Sequence, residues 1–393
     1  MKFPPLLIST GEASGDLHAG RLAAALRERG ATDLFGLGGE QMRAAGVDLI
    51  AESHEVSVLG ITEILHRLPE LRRVFRRLLD AVDARKPPLA ILVDFPGFHL
   101  RLARHLRRRG VRNVYFIAPQ FWAWRPWRVR VVRRRFERVL CIFPFETEFY
   151  RENGVNAEFI GHPLVGRVKP SFSSAEFRSR LRLDIGRPVV ALLPGSRPGE
   201  IAHNFPPLLE ACRELAATHN PQFLLAAAPG VTDEVLAPAV RAGLGIEVTS
   251  GATYDVLSAA DVAIVSSGTA TVEAALCGAP TVVVYRVSPM TAAIARPLIR
   301  APYFAMVNLI AGRPVVPELI QDDFTGPRLA RELGRLLDSP TDRENMKREL
   351  SAVESRLHGP RGDAISRTAD VVCEMLSGKA TPQPDSPSKM GVN

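Results

Sequence analysis

The amino-acid sequence predicts two α/β domains of nearly equal length, each a parallel sheet flanked by helices, with a ligand cleft between them. Three observations carry this expectation. A chain of 393 residues exceeds what one hydrophobic core usually serves. Short apolar runs alternate with longer helical patterns in both halves, the rhythm of strands joined by crossover helices. That rhythm breaks in a turn-rich passage at 161–174 and then restarts, which places the domain junction.

In the first half, the runs at 6–9, 34–37, 89–93, 114–117 and 139–142 read as strands and residues 16–29 as a helix. The second half repeats the pattern at 189–193, 223–227, 262–265 and 281–285, each run leading into a loop rich in Gly, Ser or Pro. The domains are set at 1–165 and 166–350. Residues 378–393 are rich in Pro, Ser, Gly and Lys, with almost nothing to bury, and read as a disordered tail.

Composition narrows the class. Hydrophobic residues at 46% and charged residues at 23% are those of a folded globular protein. Cys141, Cys212, Cys277 and Cys373 are scattered, without the spacing of a zinc or redox site, and point to a reducing, cytoplasmic compartment. The N-terminal apolar run is too short for a signal peptide. No apolar stretch approaches the roughly 20 residues that cross a bilayer, so membrane contact is expected to be peripheral. A net charge of +8 suits an anionic partner: nucleic acid, an acidic membrane face or a phosphorylated substrate.

Ligands of open parallel sheets sit beyond the carboxyl ends of strands, so four loops matter. In STGEASGDLHAG (9–20), small residues admit a ligand, or Ser14 or Asp16 caps the following helix. Glu12 is unnecessary for a cap. In LVDFPGFHL (92–100), Asp94 could accept a proton from an attacking hydroxyl, or bond its own backbone in a turn. In LLPGSRPGEI (192–201), Gly195, Ser196 and Arg197 could converge on a diphosphate through amides and a guanidinium fork. In VSSGTATVEAALCGAP (265–280), Ser266, Ser267, Gly268 and Thr269 precede a helix whose first amides attract phosphate. Glu273, one turn in, could accept ribose hydroxyls or complement the helix dipole. No Asp-X-Asp pair follows an apolar strand and no His spacing suggests a metal cage, so neither metal nor other cofactor is expected. His18, His99 and His162 read as structural residues, with His99 the one that could take part in chemistry.

Two further stretches stand out. FWAWRPWRVRVVRRRF (121–136) gathers all three tryptophans with Arg125, Arg128, Arg130 and Arg133 to Arg135. No nucleic-acid-binding module surrounds it, so a phosphate rim or packed aromatic loop is the simpler reading and nucleic acid is not an expected partner. Residues 61–82 place Ile61, Ile64, Leu65, Leu68, Leu71, Val74, Phe75, Leu78 and Leu79 at helical spacing among arginines, with Pro69 splitting the run. An anionic bilayer surface suits such a face, and so does a domain core with a solvated basic side.

Taken in order, GEASGD (11–16), DFPGFH (94–99), PQFWAWR (119–125), IGHPL (160–164), LPGSR (193–197), SSGTATVEAAL (266–276) and VNLIAGR (307–313) make the chain resemble the lipid-A-disaccharide synthases. The resemblance runs from the first strand to about Met375. It implies the GT-B fold, two facing Rossmann-like domains, with acceptor bound in the first, nucleotide in the second and a helical segment at 351–377 crossing back. It also implies an inverting transfer from UDP-2,3-diacylglucosamine to the 6-hydroxyl of 2,3-diacylglucosamine 1-phosphate at the cytoplasmic face of the inner membrane. Carried over by motif, Glu12, Asp94, Arg197 and Asn308 are functional, with Asp94 the base. Relatives with Asp-Phe-Asn at 97–99, or Asp at 166, differ from the Gly97-Phe98-His99 and Gly166 found here. A UDP-sugar epimerase can share the plan. Oligomeric state stays open, a homodimer being one option.

Overall fold

The computed structural model describes residues 3–56, 68–296, 298–299 and 301–378. Strands β1 (Leu6–Ser9), β2 (Leu34–Gly38), β3 (Asp48–Glu52), β4 (Leu89–Val93), β5 (Arg112–Phe116), β6 (Arg138–Cys141) and β7 (Ala157–Phe159) form one sheet in the order β3-β2-β1-β4-β5-β6-β7. Strands β8 (Val189–Leu193), β9 (Gln222–Ala227), β10 (Glu247–Ser250), β11 (Val262–Ser266), β12 (Thr281–Tyr285) and β13 (Glu318–Ile320) form a second, ordered β10-β9-β8-β11-β12-β13. The strand pairs are parallel. In β1, β4, β8 and β11 every residue is buried. That requires helices on both faces, which the crossover connections supply. Each fully buried Leu, Ile or Val there contributes ~1.5–3 kcal/mol.

The order of each sheet reverses beside its first strand, between β1 and β4 and between β8 and β11. At such a point the following loops part company and leave a crevice. The two reversals set residues 10–12 beside 94–99, and residues 194–197 beside 266–269.

The sheets meet by their carboxyl edges. Trp124, beyond β5, forms a β-bridge with Ile299, beyond β12. Phe143, beyond β6, is buried in the core of the second domain with Val307 and Ile310. The helix Ala13–Glu28 carries His18 and Arg21 into charge–charge range of Arg167, and Arg21 also into that of Tyr254. A cleft follows from this facing arrangement.

The chain crosses back later than expected. The helix Pro340–Leu357 packs into the second domain through Met346, Leu350, Val353 and Leu357, so the crossing is made at 358–363. The helix Ala364–Leu376 then docks on the first domain, where Ile365, Ala369 and Val372 share a core with Leu22 and Leu26. Its nearly buried Arg367 is held by Glu158 of β7 and by Glu374, both at 2.6 Å. The amphipathic run at 61–82 is described from Leu68 on, as the helix Leu68–Arg85 with Pro69 in its first turn, where proline is tolerated. Ile64 and Leu65 lie outside the described residues, as does the side chain of Leu68. The tail proposed at 378–393 lies outside them too, apart from Gly378.

Candidate functional site

On the first domain the site is built from the loops after β1 and β4. Asp94 and Phe95 both adopt positive φ, 50° and 53°, a conformation that costs non-glycine residues about 1–3 kcal/mol each. The backbone around them is held from three sides. The Asp94 carbonyl accepts a hydrogen bond from His99 Nδ1 at 2.6 Å and another from the Tyr115 hydroxyl at 2.8 Å, and the Asp94 amide donates to Phe116. The Ser9 hydroxyl lies 2.9 Å from His99 Nε2. A carbonyl at Nδ1 requires the proton there, so Nε2 accepts from Ser9. Burial pushes the His99 pKa down to about 4; the ring is a neutral strut beneath Asp94, and both its nitrogens are taken.

The Asp94 carboxyl has its pKa raised to about 6, first by burial and then by the charge of Glu12, against a backbone hydrogen bond from Phe95. Glu12 is exposed and makes no cap to the helix it precedes. Gly11 brings it there: a Cβ at Gly11 would meet the Phe95 ring at 2.4 Å, so only glycine lets the loop lie on that ring. Asp16 has a different task from the one expected. Its carboxylate accepts from the amides of Gly39, Gln41 and Met42, capping the helix Glu40–Ala44 and not its own.

On the second domain, the loop after β8 leads Arg197 into the N-cap of the helix Pro198–Thr218. Arg197 is exposed and makes no ion pair or side-chain hydrogen bond with a described residue; the Tyr285 hydroxyl lies within its charge–charge reach. Gly195 has φ +134°, and a Cβ on it would fall 2.7 Å from the Glu200 carboxylate. That carboxylate accepts from the Ser196 amide at 3.2 Å and the Ser266 hydroxyl at 2.5 Å. Asn204, fully buried one turn further on, donates to Pro194 and accepts from the Arg286 amide. Glu200 and Asn204 therefore fasten the LPGSR loop to the loops after β11 and β12. Sequence reading missed both. The available signals were a Glu three residues after an N-cap and an Asn on the apolar face of a helix.

The loop after β11 leads through Gly268 into the helix Thr269–Leu276, which has no side-chain cap; the Thr271 amide turns back to the Gly268 carbonyl, and the amides of Thr269 and Ala270 before it are available to an anion. Glu273 is half-buried and accepts from the Tyr254 hydroxyl at 3.2 Å; burial raises its pKa, while that hydrogen bond lowers it.

Three expected ligand contacts are internal bonds here. The Ser196 amide is occupied by Glu200, and the Ser267 hydroxyl donates to the Phe304 carbonyl at 2.7 Å. Asn308 is fully buried, and its amide is used on both sides. Nδ2 donates to Val316 and Glu318, and Oδ1 accepts from the amides of Val315 and Val316. Glu318 in turn holds the amides of Phe304 and Ala305. Asn308 thus positions the Phe304 carbonyl that Ser267 leans on. Asn308→Ala strands several buried groups, and each costs about 1–3 kcal/mol. The expected result is a lower thermal midpoint, measured by calorimetry, with a smaller loss of turnover than a change at Arg197.

The tryptophan-rich stretch divides by side chain. Trp122 packs against the second domain and donates to Glu146 at 3.2 Å, while Trp124 and Trp127 are exposed. Arg125 lies over the Trp124 ring at 4.2 Å. Glu146 is buried and its pKa is pushed up to about 8, chiefly by that burial. Sequence reading did not single out this buried carboxyl, which also accepts from the Phe143 amide.

Solved structures with this arrangement include the calicheamicin glycosyltransferase CalG4, with a TM-score of 0.60 and 17% identity over 97% of this chain and 100% of that one. The UDP-GlcNAc 2-epimerase of Neisseria meningitidis bound to UDP-GlcNAc gives a TM-score of 0.58 and 10% identity over 96% and 100%. Identities this low speak for the fold alone, and that fold is the GT-B architecture of glycosyltransferases. A family model described as lipid-A-disaccharide synthetase matches residues 6–361. Curated proteins named lipid-A-disaccharide synthase are 44% identical in Geobacter sulfurreducens, over 94% of this chain and 97% of that one, and 45% identical in Solibacter usitatus, over 96% and 99%. A third, from Myxococcus xanthus, is 43% identical over 95% and 98%. The chain belongs to the lipid-A-disaccharide synthase family and is a glycosyltransferase.

Proposed function

We propose that this chain joins two acylated glucosamine units, moving 2,3-diacylglucosamine from its UDP derivative to the 6-hydroxyl of 2,3-diacylglucosamine 1-phosphate with inversion. The observation that carries the reading is Asp94, a carboxylate with a pKa about 6 at the carboxyl end of β4, on the opposite side of the cleft from Arg197. Asp94 takes the proton of the acceptor hydroxyl, whose oxygen attacks the anomeric carbon from the face away from UDP. The bond from that carbon to the diphosphate oxygen breaks, and its electron pair leaves with UDP. Arg197 and the amides at the start of the helix Thr269–Leu276 meet the growing charge. Glu273 and Tyr254 suit the ribose hydroxyls.

An assay of UDP release with both substrates, then with each omitted, tests the reading. UDP is expected only when both are present. Turnover of the donor alone would favour the epimerase, whose support is a fold match at 10% identity.

Among the described residues no helix is long and apolar enough to cross a membrane. Peripheral binding at the inner-membrane surface is supported by the apolar, arginine-edged run at 61–82. Leu71 and Phe75 pack only partly against the first domain's core, Phe75 edge-on to Phe98 at 5.5 Å. A Leu68→Asp and Leu71→Asp double variant is expected to stay soluble and to lose co-flotation with anionic vesicles. Collapse of expression instead would assign the segment to the core.

A further inference from the structure

The helix Ala13–Glu28 runs from Glu12, at the catalytic edge, along the junction of the two domains. Ser14, His18 and Arg21 fall at i, i+4 and i+7, hence on one face. At ~1.5 Å per residue, His18 lies about 9 Å and Arg21 about 14 Å from Glu12 along the axis. That face lies within charge–charge range of Arg167, an exposed side chain of the interdomain segment, and Arg21 on it also within range of Tyr254 and Asp363.

These charges do not balance. His18 Nδ1 and Arg21 Nη1 are buried atoms without a hydrogen-bond partner among the described residues, a state that native structures seldom keep. The nearby acceptors are partly engaged elsewhere. Asp363 caps the helix Ala364–Leu376 through the Ser366 amide, and the Tyr254 hydroxyl donates to Glu273. Burial followed by the two arginines pushes the His18 pKa down to about 4, so its ring is neutral, and the tautomer protonated at Nδ1 can donate there. Two guanidinium groups and an imidazole from two elements thus lie within charge–charge range of one another, and Arg21 within that of Tyr254, the partner of Glu273.

We propose that His18, Arg21 and Arg167 form a subsite for a phosphoryl group of a bound substrate, separate from the Arg197 loop. Planar guanidinium forks match phosphate oxygens, and the orphaned donors supply the remaining bonds. Two sources share that chemistry, the diphosphate of the donor and the phosphomonoester of the acceptor. The inference rests on the proposed reaction for the identity of those substrates, though not for the phosphate itself.

The test compares wild type with Arg21→Met, Arg21→Lys and Arg167→Gln. UDP and uridine are titrated calorimetrically, and the acceptor phosphate and its dephosphorylated counterpart kinetically. A lost charge-assisted bond is expected to weaken one phosphorylated ligand roughly ten- to hundredfold, with its unphosphorylated counterpart unaffected and Lys recovering part of the loss. A change in UDP affinity assigns the donor diphosphate; a raised acceptor KM at constant kcat assigns the acceptor monoester. Equal affinities for both phosphorylated ligands in all four proteins overturn the subsite. Arg167 is exposed, so Arg167→Gln carries the test if Arg21→Met fails to fold. A wild-type protein that releases no UDP overturns the proposed reaction instead. Binding of inorganic pyrophosphate that Arg167→Gln weakens would still uphold the subsite.

Discussion

Asp94→Asn is expected to lower turnover by roughly 10²–10⁴-fold, the usual contribution of a positioned base, while UDP affinity is retained. The amide keeps the shape of the carboxyl and leaves the strut of His99, Ser9 and Tyr115 intact, since those residues hold the Asp94 backbone and not its side chain. The wild-type pH profile gives an independent check. The proposed base acts as its carboxylate, and the Asp94 pKa is raised to about 6, so kcat/KM should fall as pH drops through about 6. Glu12 is one of the causes that raise that value. Removing its charge in Glu12→Gln should therefore move the acid limb to lower pH, with the larger effect of burial left in place. Full activity of Asp94→Asn, or an acid limb that ignores Glu12, would sink the assignment.

Arg197→Ala is the second large effect expected. Donors aimed at developing charge are worth roughly 10²–10³-fold in turnover, and the side chain of Arg197 has no ion pair or hydrogen bond among the described residues to hold it away from a ligand. UDP should bind more weakly, and Arg197→Lys should recover only part of the loss, because an ammonium lacks the planar fork. The supporting scaffold separates this role from folding. Gly195, Glu200 and Asn204 fix the loop whether or not the guanidinium is present, so the variant is expected to keep the wild-type thermal midpoint. A variant that unfolds early would place Arg197 in the scaffold.

The strands that sequence reading found are β1, β2, β4, β5 and β6 in one sheet and β8, β9, β11 and β12 in the other. Most are buried throughout, and continuous apolar runs declare such strands. Those it missed, β3, β7, β10 and β13, are the sheet edges. They are short or partly exposed, as the patterns of β3 and β10 illustrate, so neither apolar run nor alternation marks them. The same limit applies at the site. Asp94, Arg197 and the Gly268 loop announce themselves by following apolar strands. Glu200, Asn204 and Glu146 lie inside helices and gain meaning only from partners on other loops.

The sequence by itself determined the two-domain parallel plan, the four loops beyond the carboxyl ends of buried strands and the family, because local periodicity and ordered motifs are properties of neighbouring residues. Only the tertiary structure decided which polar groups stay open to a ligand. Ser196, Ser267 and Asn308 carry suitable groups, yet spend them on Glu200, Phe304 and the β13 segment. Arg197, Arg21 and His18 retain groups without a hydrogen-bond or ion-pair partner among the described residues. Hydrogen-bond satisfaction is settled between residues distant in the chain, and the spacing of a motif holds no record of it.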